Sequence, residues 1–130
     1  GEAWGTIEYK GKGTFIAGGA GVTPFIAILR MLADRGEMAG HRLIFANKTE
    51  ADIILREEFE AMEGLEIVHV LSKEDKDGFE HGRIDKDLLR KHIDDFDQQF
   101  YVCGPDEMVE SINDALKELG ADPEGLVFEE

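Results

Sequence analysis

The sequence predicts one α/β domain, a doubly wound sheet of five parallel strands with flanking helices. Two observations lead there: short apolar runs recur along the chain and end at glycine or polar turns, and segments of helical period alternate with them. A third is that some runs, such as EIVHVL, are apolar almost throughout. Strands of that kind belong inside a sheet covered on both faces, and alternation with helices implies parallel pairing through right-handed crossovers.

The first strand is expected at 14–17, inside GTFIAGGAGVTPFIAILR. It runs into a turn made almost wholly of Gly and Ala. Thr23 then reads as a helix N-cap with Pro24 at the first helical position, and Phe25, Ile28, Leu29 and Leu32 recur at core spacing until Gly36 stops the helix. Further strands are expected at 42–46, 66–71, 99–103 and 126–128, with helices at 53–62, 85–92 and 107–119 between them.

Composition limits what such a domain does. At 130 residues the chain suits one compact domain, and 42% hydrophobic residues can fill its core. The 14 basic and 29 acidic residues give a net charge of −15, which disfavours a broad phosphate-tracking surface, so no nucleic-acid or anionic-lipid partner is expected. A single cysteine, Cys103, excludes an internal disulfide and any metal or cluster site built from several thiolates of this chain. It fits a reducing compartment. The longest apolar stretch, 25–32, contains Arg30 and is too short to span a bilayer, and no charged-then-apolar leader opens the sequence. The expected location is the cytoplasm, with no membrane partner.

Doubly wound sheets bind ligands beyond the carboxyl ends of their strands, near the point where strand order reverses. Two stretches fall at such ends. Gly19-Ala20-Gly21-Val22-Thr23-Pro24 reads GxGxxP, a dinucleotide fingerprint with its last glycine replaced by a helix-starting proline. Its backbone N–H groups and the positive end of the following helix would face a pyrophosphate, Thr23 would add a hydroxyl, and a side chain at Gly21 would block the phosphate's approach. A tight structural turn is the competing account. Gly11-Lys12-Gly13 is followed by nothing like a Walker motif and reads as a surface turn.

The second stretch is FYVCGPDEM, 100–108. Taken singly, a cysteine closing an apolar strand is more often a small core residue than a reactive one. The following Gly104 leaves space beside the sulfur, and Pro105 with Asp106 and Glu107 starts the next helix. A cysteine so placed can touch a ligand. His69, His81 and His92 have no recognisable role as its activating base and read as a strand, a loop and a helix-end residue.

With both stretches in order, the chain resembles the C-terminal NAD(P)-binding domain of the ferredoxin-NADP reductase family, the flavodoxin reductases included. FIAGGAGVTPF is similar to that family's first strand and pyrophosphate turn, YVCGPDEM to its cysteine-glycine motif and LVFEE to its last strand. The resemblance implies that Gly19, Gly21, Val22, Thr23 and Pro24 serve the pyrophosphate. It further implies that Cys103, Gly104, Pro105 and Met108 flank the nicotinamide and its ribose, and that Glu129 lies near hydride transfer. The implied reaction passes a hydride from NAD(P)H to FAD and electrons onward to an acceptor such as ferredoxin or flavodoxin, or to a small acceptor.

The family carries FAD in a preceding barrel with an RxY[ST] motif, which this sequence lacks. Residues 1–12 therefore read as the barrel's exit segment and 13–130 as the NAD(P)-binding domain, which is expected to be inactive alone. Many members end in an aromatic residue where this sequence has Glu130. NADPH users in the family tend to carry Ser and Arg after the third strand; Ser72-Lys73 matches in part and gives NADPH a slight preference, with Asn47-Lys48-Thr49 at the end of the second strand a further contact near the adenosine. A non-catalytic NAD(P) sensor is the alternative reading, against which Cys103 and Glu129 speak, since a sensor needs no residues beside the hydride.

Overall fold

The computed structural model describes residues 7–122 and 125–129, with backbone alone for 128 and 129. Six strands form one parallel sheet: β1 Gly13–Gly18, β2 Arg42–Asn47, β3 Glu66–Leu71, β4 Glu80–His81, β5 Gln99–Cys103 and β6 Leu126–Glu129. The helices are α1 Thr23–Asp34, α2 Arg56–Glu60, α3 Lys86–His92 and α4 Asp106–Glu118. Strand order is β4-β3-β2-β1-β5-β6, so the chain winds outward in one direction from β1 and then crosses to its other side. The reversal lies between β1 and β5, where Ala17 stands opposite Cys103.

The expected class is borne out, with one strand more than the five expected. The addition, β4, pairs Glu80 and His81 with Val70 and Leu71. Two residues are too few to carry an alternating pattern, which is why His81 read as a loop residue.

Alternation along the buried strands feeds two cores. Phe15, Ala17, Leu43, Phe45, Tyr101 and Cys103 face Phe25, Leu29 and Leu32 of α1 and Phe59 of α2. Ile16, Ile44, Val70, Phe100 and Val102 face Leu88 and Leu89 of α3 and Val109, Ile112 and Leu116 of α4. Tyr101 ties down the chain before β1. Its buried hydroxyl accepts from the Lys10 N–H at 2.8 Å and donates to the Gly11 carbonyl at 2.7 Å, its ring stacks on Phe15, and burial pushes its pKa up to about 12. Ile7 is buried in the same core, and the Tyr9 hydroxyl lies 2.8 Å from His41 Nε2.

The helix expected at 53–62 is broken. A 3-10 turn at Glu50–Asp52, closed by a reciprocal cap between Thr49 and Asp52, precedes Leu55 in the left-handed region, and α2 starts only at Arg56. Asp85 caps α3 by accepting from the Leu88 N–H at 2.9 Å.

Candidate functional site

The glycine turn closes β1 as a 3-10 turn, Gly19–Val22, that leads straight into α1. The helix consequently begins one residue earlier than its sequence suggests. Val22 stands at the N-cap, the Thr23 N–H donates to the Ala20 carbonyl, and Pro24 is the second helical residue. The Thr23 side chain is exposed and makes no capping bond, so its hydroxyl is not spent on its own helix. The first turn of α1 holds no acidic side chain, which leaves its positive end uncompensated, whereas Asp106 and Glu107 complement that of α4.

Three of the glycines here admit close neighbours. A Cβ on Gly18 would strike the Met108 sulfur. One on Gly21 would lie 2.5 Å from the Cys103 carbonyl oxygen and 2.7 Å from Gly104 Cα. Gly104 in turn faces the Gly18 nitrogen and Met108. The two turns at the reversal point are thus packed backbone to backbone. Gly19 differs, with φ of +54° and nothing within 4 Å of its Cβ position. Gly21 lacks a side chain to admit the second turn, and Gly19 is the glycine that fronts open space.

That space is the mouth of a cleft of about 590 Å³. Gly18, Gly19 and Ala20 form one wall; Pro105, Met108 and Ser111 form the α4 side. Asn47 ends β2, with Lys48, Asp52 and Ile54 after it, and Ser72, Arg83 and Ile84 follow β3 and β4. The Asn47 Nδ2 group is buried without a hydrogen-bond acceptor among the described residues. A buried amide donor left in that state is costly unless a ligand oxygen completes it. An open glycine and an orphaned donor on one cleft, with the uncompensated N-terminus of α1 following directly on its glycine wall, fit a phosphate-bearing nucleotide.

Of the expected site residues, Gly19, Asn47, Ser72, Pro105 and Met108 come together on this cleft. Gly21, Thr23, Pro24, Lys73 and Gly104 do not line it, and Val22 is fully buried in the core beneath the turn. Cys103 is also buried, its sulfur among the core residues on the α1 face. The Glu129 backbone pairs in register with Cys103, and its side chain lies outside the described residues. Glu74, in the loop after β3, is engaged within the protein: its carboxylate accepts from the Glu50 N–H at 2.7 Å and lies 3.5 Å from Lys76 Nζ.

Sequence reasoning missed Arg83 and Ile54. Arg83 follows a strand of two residues, and a strand end is the signal that would have drawn attention to it. No histidine lines the cleft. His92 Nε2 is 2.7 Å from Glu80, and His81 Nδ1 is 2.7 Å from the Glu74 carbonyl. His69 is buried beside Phe45 and Phe79 with Glu60 Oε2 at 3.5 Å, too loose to satisfy either ring nitrogen, and burial holds its pKa below the ordinary value.

A parallel sheet with a glycine turn and helix N-terminus at its reversal point, beside a cleft of this chemistry, defines a dinucleotide-binding domain. The chain belongs to the oxidoreductase NAD-binding domain family, whose model matches residues 15–114. It is 34% identical to NADH-cytochrome b5 reductase 2 of Mycosarcoma maydis, over 85% of this chain and 34% of that protein. It is 32% identical to an NADH nitrate reductase of Cichorium intybus, over 91% of this chain and 16% of that protein. The chain therefore spans between a sixth and about a third of these relatives' lengths. Among solved structures, the Amycolatopsis cytochrome P450 reductase superposes with a TM-score of 0.80 at 26% identity, covering 92% of this chain and 37% of that one. The FAD/NAD-binding domain of nitric oxide dioxygenase from Vibrio cholerae gives 0.83 at 24% identity, covering 95% and 52%, which establishes shared fold.

Proposed function

We propose that this chain is the NAD(P)H-binding half of a flavin-dependent oxidoreductase and presents the nicotinamide to FAD on a separate domain. The observation that carries this reading is the packing of the Gly19–Val22 turn against Cys103 and Gly104 at the reversal point, with the nucleotide-sized cleft beside them. The chemistry supplied by bound NAD(P)H is hydride donation to the flavin, from which electrons pass to an acceptor protein or a small acceptor. The chain's own residues bind and orient. Backbone at Gly19 and the positive end of α1 hold the pyrophosphate, with Thr23 adding its hydroxyl. Asn47 donates to the ligand through Nδ2, and Pro105 and Met108 flank the nicotinamide ribose. Cys103, Gly104 and Glu129 stand on the hydride side.

The reading extends to NADPH over NADH. Ser72 shares its cleft with Lys48 and Arg83, neither of which makes an ion pair among the described residues, so both charges are available to a 2′-phosphate. At a net charge of −15 this domain repels an acidic acceptor such as ferredoxin or flavodoxin, and docking would fall to the FAD domain. The single cysteine suits a reducing compartment, the cytoplasm by preference. Calorimetric titration tests the reading: the purified chain is expected to be colourless, without diaphorase activity, and to bind NADPH more tightly than NADH. Failure to bind either nucleotide, or purification with stoichiometric flavin, overturns it.

A further inference from the structure

Two large aliphatic side chains stand exposed next to each other, Ile54 and Leu55, at 43% and 38%. Leu55 is also the one non-glycine residue with positive φ among the described residues, at φ 53° and ψ 28°. L-residues avoid this conformation, and it persists only where the surroundings over-determine it.

The surroundings here are an ionic clamp. Arg56, directly after Leu55, reaches Glu50 at 2.5 Å through Nη1 and Glu60 at 2.9 Å through Nε, and its guanidinium lies 5.0 Å from the centre of the Phe79 ring. The second oxygen of Glu50 takes Lys76 Nζ at 3.0 Å. The Glu50 N–H donates to Glu74, which also contacts Lys76. The segment after β2 is thereby fastened to the loop after β3, and the fastening turns Ile54 onto the cleft wall that also carries Ile84.

We propose that Ile54 is the surface against which the adenine base packs, and that Glu50 and Arg56 are positioning residues that hold it there. The proposal rests on the reading of the cleft as the NAD(P)H site. With the pyrophosphate at the β1 turn and the nicotinamide toward β5, the adenosine falls on the β2-β3-β4 side, where Ile54 is the exposed apolar group. A purine has flat apolar faces, and covering Ile54 with one removes apolar surface from water.

The test is a methyl and amide NMR titration of the full chain with 5′-AMP, which carries the base and one phosphate. The Ile54 methyl signals are expected to shift on binding. Ile54→Ala should weaken 5′-AMP binding about 5- to 20-fold, and Ile54→Leu should restore most of it. The melting temperature should hold in both, because the side chain is exposed. Glu50→Gln should weaken binding about 3- to 10-fold by depopulating the competent wall. If the Gly19 amide moves while the Ile54 methyls stay still, the base lies elsewhere and the proposal falls with the cleft reading intact. If neither moves, both fall. Wild-type affinity in Glu50→Gln removes the positioning role.

Discussion

Gly21→Ala separates packing from ligand binding at the glycine turn. The new Cβ would lie 2.5 Å from the Cys103 carbonyl oxygen, and 2.7 Å from both the Cys103 carbonyl carbon and Gly104 Cα. All three are backbone atoms at the end of a central strand, so no flexible side chain can yield. Carbon contacts settle near about 3.5–4.0 Å, and relief therefore requires one turn to move by about 1 Å against the other. Overpacking of this kind costs about 1–3 kcal/mol. For a chain of this length about 1 kcal/mol corresponds to about 4 °C, which gives a fall in melting temperature of about 4–12 °C. Gly19→Ala provides the contrast. Its Cβ meets nothing within 4 Å, so the fold bears only the left-handed strain of about 1–2 kcal/mol, while the methyl enters the mouth of the cleft. Thermal unfolding combined with NADPH titration, at a temperature where both variants are folded, should show Gly21→Ala as the less stable protein and Gly19→Ala as the poorer binder. A Gly21→Ala protein that melts within about 1 °C of the wild type refutes the argument.

Tyr101→Phe should cost about 1–3 kcal/mol, since it strands the Lys10 N–H and the Gly11 carbonyl that share the buried hydroxyl; a chemical denaturation midpoint equal to the wild type would contradict this. Burial lowers the pKa of both His69 and His41 from 6.5, so the folded state binds fewer protons than the unfolded state just below that value. Stability should accordingly be flat above about pH 7 and decline as pH falls through 6.5, at up to about 1.4 kcal/mol per pH unit for each histidine. His69→Phe, read by melting temperature across pH 7.5 to 5.5, should shallow that decline. In the flavin-bearing protein, Cys103→Ala should leave NADPH affinity nearly unchanged and slow flavin reduction about 10- to 100-fold if the sulfur orients the nicotinamide. A destabilised mutant with an unchanged stopped-flow rate would make Cys103 a core residue alone.

What the sequence determined by itself is what local chemistry encodes. The strands at 66–71 and 99–103 were legible to the residue because their apolar runs end at abrupt changes of composition. The glycine turn and the Cys-Gly-Pro stretch were legible as strand-end turns, and parallel winding followed from their alternation with helices. Tertiary structure alone decided the rest, because it rests on residues distant in sequence meeting across the sheet. Gly19 and Gly21 are equivalent in a written motif; only the arrival of Cys103 beside one of them makes it a packing glycine and leaves the other facing the cleft. The break before α2 depends on Glu50 finding Lys76 and Glu74 from the next loop, a contact that no helical period records. Arg83 and Asn47 acquire meaning in the same way, since a charge without a counterion or a donor without an acceptor among the described residues is defined by what the fold brings near it.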